Sequence, residues 1–86
     1  EIRKVQLETE TFVKNEMADI YSRELIELLF EQPYCKISFL VDRHIAKKQT
    51  ASKYLNRLVA AGLLDKTKQG REYYFINKNL WEILTR

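Results

Sequence analysis

Eleven polar or cationic residues lie close enough along the chain to form one contact surface. They are Lys47, Lys48, Gln49, Thr50, Ser52, Lys53, Asn56 and Arg57, followed shortly by Lys66, Lys68 and Arg71. Their chemistry is recognition: ammonium and guanidinium groups take phosphate oxygens, while amides and hydroxyls take base edges. At helical spacing Ala51, Tyr54, Leu55, Leu58 and Val59 share an inward stripe, and Gln49, Ser52, Lys53, Asn56 and Arg57 fall on the other side. That outer face carries no carboxylate, although a solvated helix gains a few tenths of a kcal/mol from each Glu–Lys pair. A phosphate-rich partner explains the omission. The open alternative is a scaffold helix whose polar face meets water or another protein. On the nucleic-acid reading, Lys47 and Lys48 hold a backbone phosphate at the helix start. Gln49, Thr50, Ser52 and Lys53 then meet base edges, Arg57 meets base or phosphate, and Lys66, Lys68 and Arg71 grip adjacent backbone or minor groove.

Other chemistries find little support. Cys35 and His44 are the only cysteine and histidine, too few for the four ligands of a structural zinc site. Cys35 reads as a buried small residue and His44 as a surface or turn residue. Gly62 and Gly70 are isolated, so no glycine-rich phosphate loop exists. No catalytic residue, metal or cofactor is expected in this chain. Tyr73, Tyr74 and Phe75 read mainly as strand packing residues, with stacking on bases as the lesser alternative.

These residues need a frame, and 86 residues supply one domain's worth of core. A hydrophobic share of 45% is too apolar for disorder, and no apolar run approaches a membrane span. The net charge of +3 is unevenly spread. Residues 1–35 hold four Lys/Arg and eight Asp/Glu, giving −4; residues 36–72 hold nine and three, giving +6; residues 73–86 add +1. A basic middle suits a polyanionic partner, and a basic solvated surface is the bland alternative. The lone cysteine suits a reducing, cytoplasmic location. The chain opens at Glu1 with no initiator methionine, and a segment of a longer protein is expected.

The periodicity predicts a helix over 3–18, with Val5, Phe12, Val13, Met17 and Ile20 near one stripe and Leu7 off it. A second helix is expected over 22–32, capped by Ser22 and ended by Pro33. Tyr34 to Ile37 allow one brief strand. Ser38 should cap a third helix running to about 43, with the corner taken by His44 or Ile45. A fourth helix, capped by Thr50, should run to 60 or 61 and stop at a left-handed Gly62. A strand at Leu63-Leu64, a polar loop over 66–72 and a strand at 73–76 then form a wing. Asn77 should cap a closing helix that folds Leu80, Trp81, Ile83 and Leu84 onto the core. The fold class is therefore mainly α with a small β-hairpin. It is a winged helix-turn-helix over 20–86, preceded by an amphipathic linker helix over 1–19.

Several stretches together resemble the C-terminal winged helix of Fic-family proteins. They are Tyr21-Ser22-Arg23-Glu24-Leu25, Leu29-Phe30-Glu31-Gln32-Pro33-Tyr34, Lys48-Gln49-Thr50-Ala51-Ser52-Lys53-Tyr54-Leu55, Gly62-Leu63-Leu64, Gly70-Arg71-Glu72 and Asn79-Leu80-Trp81-Glu82-Ile83-Leu84. The resemblance covers about residues 20–84. It implies a Fic-like catalytic domain in cis, joined through the first helix, that would transfer AMP from ATP to protein. The His-Pro-Phe motif of that chemistry is absent here, since His44 is followed by Ile45 and Ala46. The expected partners are therefore double-stranded DNA and the Fic-like domain, with a homodimer possible and no membrane. The alternative, favoured by the acidic first helix, is a protein-interaction or dimerisation module. If groove binding holds, Lys48, Lys53, Arg57 and Lys68 should share one face.

Overall fold

Phe75 is fully buried, and the fold is most easily built around it. It lies on the middle strand of a three-stranded antiparallel sheet ordered β1-β3-β2, with β1 at Tyr34–Cys35, β2 at Leu64–Gln69 and β3 at Glu72–Asn77. Five helices complete this computed structural model, which describes residues 1–86: α1 Ile2–Glu16, α2 Arg23–Leu29, α3 Ile37–Asp42, α4 Lys48–Ala60 and α5 Lys78–Thr85. The core joins Val13, Met17 and Ile20 to Leu25, Ile26, Leu28 and Leu29 of α2, Leu40 of α3, and Ala51, Leu55 and Leu58 of α4. Burial of each leucine contributes about 2 kcal/mol, so α4 is held by its inner stripe and its outer face is left to polar side chains. The result is a mainly helical winged helix-turn-helix, the expected fold class.

The turn between α3 and α4 is a helix end of a recognisable kind. His44 N–H donates to the Val41 carbonyl at 3.0 Å and Ile45 N–H to that of Leu40 at 2.9 Å. This is a Schellman pair, which needs a left-handed residue at its centre. His44 takes that place with φ +57°, the better of the two residues available for the corner. The end of α4 repeats the design: Gly62 donates to Val59 and Leu63 to Leu58, both at 3.0 Å, with Gly62 at φ +84°.

Several boundaries differ from expectation. Helix α2 stops at Leu29 rather than 32, because Phe30 already leaves the helical region and Pro33 disfavours helix in the residue before it. Lys36 and Lys47 occupy the N-cap positions of α3 and α4, without side-chain caps, so Ser38 and Thr50 sit inside the first turns instead of capping them. The wing strands reach further than the polar sequence suggested. Lys66 to Gln69 pair fully with Phe75 to Glu72, leaving only Gly70 and Arg71 as the turn. Backbone pairing needs no apolar side chains once the partner strand is anchored. Gly70 has φ +64°, which glycine adopts at little cost.

Asn77 does cap α5, its Oδ1 accepting from Leu80 N–H at 3.2 Å. Its Nδ2 donates to the Leu29 carbonyl at 3.0 Å and its backbone N–H to the Pro33 carbonyl at 2.9 Å. The end of α2, the entry to β1 and the start of α5 therefore meet at one buried residue. Trp81 and Leu84 do not fold onto the core: they are 50% and 54% exposed. Helix α5 is short and turns only Leu80, with Ile83 partly, toward the protein. On α1, Leu7 and Phe12 are likewise exposed, and the helix is buried through Thr9 and Val13.

Candidate nucleic-acid interface

Two rows run along the outer face of α4. Lys48, Ser52 and Asn56 form the row nearer the wing; Gln49, Lys53 and Arg57 form the other, each at i, i+4 spacing. The first row ends in a bridge to the sheet. Asn56 Nδ2 donates to the Ser52 carbonyl at 2.8 Å and to Ser52 Oγ at 3.3 Å, and Lys66 Nζ donates to Asn56 Oδ1 at 2.9 Å. Asn56 and Lys66 thus fasten the wing to the helix. The second row ends elsewhere. Arg57 grips Asp19 with both terminal nitrogens, Nη1 to Oδ2 at 2.5 Å and Nη2 to Oδ1 at 3.1 Å. That bond, with the guanidinium charge beside it, holds the Asp19 carboxyl below its ordinary range and raises Arg57.

The beginning of α4 is open to anions. The amides of Lys48, Gln49 and Thr50 have no partner within the protein, and no acidic residue lies in this first turn. Such amides carry the positive end of the helix dipole, and Lys47 and Lys48 add two exposed ammonium groups beside them. A cleft of about 540 Å³ opens between this helix start, the start of α3 and the wing turn, with Lys36, Ser38, Lys48, Arg71 and Tyr73 around it. A second groove of about 540 Å³ follows α4 along Lys48, Gln49, Ser52 and Lys53. Lys48 stands on the rim shared by both.

On β2, Lys66 and Lys68 alternate onto the sheet face that carries Tyr73 and Phe75. Their ammonium nitrogens sit 4.4 and 5.6 Å from the centre of the Tyr73 ring. Tyr73 is 42% exposed, so it is a wing-surface residue, while Phe75 fills the core and Tyr74 is half-buried. Cations over an aromatic face are held in place without being neutralised.

The distribution of partners separates the cations into two sets. Lys36, Arg43, Arg57, Lys78 and Arg86 each form an ion pair. Lys47, Lys48, Lys53, Lys66, Lys68 and Arg71 form none, and all six belong to the start of α4 or to the wing. The other unpaired cations, Arg3, Lys4, Lys14 and Arg23, lie among the eight carboxylates of residues 1–35.

The structure thus brings Lys48, Gln49, Ser52, Lys53 and Arg71 around adjoining concave surfaces, with Lys47 beside them and Lys66 and Lys68 on the wing face next to Tyr73. Thr50 is exposed on the first turn but lines neither groove. Arg57 is drawn aside to Asp19, and Asn56 is spent on the bridge. Sequence reasoning did not single out Lys36, whose Nζ donates to Glu72 Oε2 at 3.0 Å within the cleft. It also missed Asp19, 38 residues from its partner. Neither had a local signal, because both pairings are made by tertiary folding.

Cys35 is buried, and burial pushes its thiol up to about 12, far from the thiolate that nucleophilic or metal-binding work needs. His44 is exposed at its corner, and no group of three His, Cys, Asp or Glu residues comes together in a metal-holding arrangement. No helix is long and apolar enough to cross a membrane. A family model described as "Protein adenylyltransferase SoFic-like, C-terminal domain" matches residues 5–80, a span that takes in α1 as well as the winged helix. The chain belongs to this family of C-terminal domains of Fic-type protein adenylyltransferases.

Proposed function

We propose that this domain binds double-stranded DNA, with the start of α4 in the major groove and the wing on the adjacent backbone, as a regulatory module of a cytoplasmic Fic-type protein. The observation that carries the reading is the set of six unpaired cations confined to those two elements. Lys47, Lys48 and the free amides of the first turn receive one phosphate; Arg71, beside the cleft, and Lys66 and Lys68 on the wing meet others. Gln49, Thr50, Ser52 and Lys53 lie at the end of the helix that meets base edges in this motif. Arg57 and Asn56 are engaged within the protein and take a lesser part. AMP transfer from ATP belongs to the Fic domain in cis, and this domain supplies it no catalytic group.

Fluorescence anisotropy with a random-sequence duplex across a salt series tests the proposal. Four or five phosphate contacts give a log–log slope of about −4, at roughly −0.9 per contact. The variant Lys48→Ala/Lys53→Ala/Arg71→Ala should flatten it by about 2 to 3. An absence of binding at low salt removes the DNA reading. The second reading, a protein-interaction or homodimer module, is favoured by the exposed Trp81 and Leu84 of α5 and Leu7 of α1. Sedimentation of the chain separates the two.

A further inference from the structure

We infer that Asp19 acts as a gate on the DNA surface by competing with a backbone phosphate for Arg57. The inference rests on the DNA reading above and deepens it. Arg57 lies in the same row as Gln49 and Lys53, one turn beyond Lys53, so its side chain is within the reach of a strand that follows α4. Both terminal nitrogens are nevertheless committed to Asp19, in the geometry a phosphate would take. Among the residues of the outer face of α4, Arg57 alone is held by a carboxylate.

The pair is open to exchange. The side chains of Arg57 and Asp19 are 44% and 68% exposed, and surface pairs of this kind contribute little net stability. A phosphodiester offers the same bidentate acceptor together with release of condensed counterions. Asp19 is also not part of α4. It sits between Glu16, the last residue of α1, and the Ser22 cap of α2, in a connection anchored by Met17 and Ile20 in the core. The same anchoring holds the Asp19 carboxylate over Arg57, so a phosphate must draw the guanidinium away from a fixed partner.

A double-mutant cycle on the complete chain tests the gate, using Asp19→Asn, Arg57→Ala and the double variant with the same duplex and salt series. Asp19→Asn is expected to bind several-fold tighter at low salt, with a slope steeper by about 0.9, one added phosphate contact. The double variant should match Arg57→Ala, because without the guanidinium Asp19 has nothing to withhold. A gain that survives in the double variant overturns the gate, because it then reflects only the loss of a distant negative charge. An Asp19→Asn slope equal to that of wild type overturns it as well, while leaving the DNA reading intact. If wild type does not bind at low salt, the DNA reading fails and the gate falls with it. The substitution is at an exposed residue, and thermal melts of all four confirm that folded proteins are compared.

Discussion

At the corner of the helix-turn-helix motif a single histidine holds a left-handed backbone conformation. The two helix-ending hydrogen bonds around it keep it there, because the Leu40 and Val41 carbonyls would otherwise lose their partners. A non-glycine residue in this region is strained by about 1 to 2 kcal/mol, with histidine near the lower end. Glycine removes the strain but costs about 0.5 to 1 kcal/mol in the freedom of the unfolded chain. His44→Gly is therefore expected to stabilise the domain by about 0.5 kcal/mol, raising Tm by a few degrees. His44→Val should destabilise it by about 1 kcal/mol or more. Thermal denaturation followed by circular dichroism checks both signs. Gly62 and Asn77 were legible in the sequence for the reason that makes these effects local: a helix end is decided by residues within one turn of it. The further bonds of Asn77 to Leu29 and Pro33 were not, since they join segments more than forty residues apart.

The same distinction runs through the secondary elements. Helix α4 was readable because its inner stripe repeats at 3.6 residues, and its start was misplaced because Thr50 offered a better cap than Lys47. The folded domain leaves that better cap unused. An N-cap without an accepting side chain sacrifices about 1 kcal/mol of helix stability, and a first turn without carboxylates forgoes a further favourable dipole interaction. Both omissions keep the helix start positive. Lys47→Asp should consequently raise stability by about 1 kcal/mol in a denaturant titration. It should also weaken the proposed DNA binding and remove about 0.9 from the salt slope. A variant that gains stability and keeps full affinity would show that the bare helix start serves no anion. The wing was legible as an element and misjudged in length, because Lys66 to Gln69 pair through their backbone while their side chains give no strand signal.

Across the whole molecule, charge is sorted by neighbourhood. The surface ion pairs Arg57–Asp19, Arg43–Glu31 and Lys36–Glu72 lie between elements and hold their carboxyls below the ordinary values of 3.8 and 4.5. A carboxyl depressed in the folded state stabilises the protein above its unfolded pKa, and that contribution is lost as pH falls through the folded value. Stability should therefore stay level between about pH 5 and 8 and decline below about pH 4, as melting temperatures across a buffer series would show. The exposure of these pairs keeps the decline shallow. The basic middle and acidic front were countable from composition. Which cations remain unpaired was not, because the partners are separated by as many as 85 residues.

The sheet joins β1 to β3 through only two residue pairs, Tyr34 with Ile76 and Cys35 with Phe75, and these close a loop of about forty residues. Closing a flexible loop of that length costs on the order of 3 kcal/mol in chain entropy. So short a ladder is a natural place for the native chain to open first, ahead of the longer wing hairpin. Cys35 lies in that ladder, buried and protonated. Its rate of alkylation is therefore a clock for this one opening, with a reporter already in place and no label to introduce.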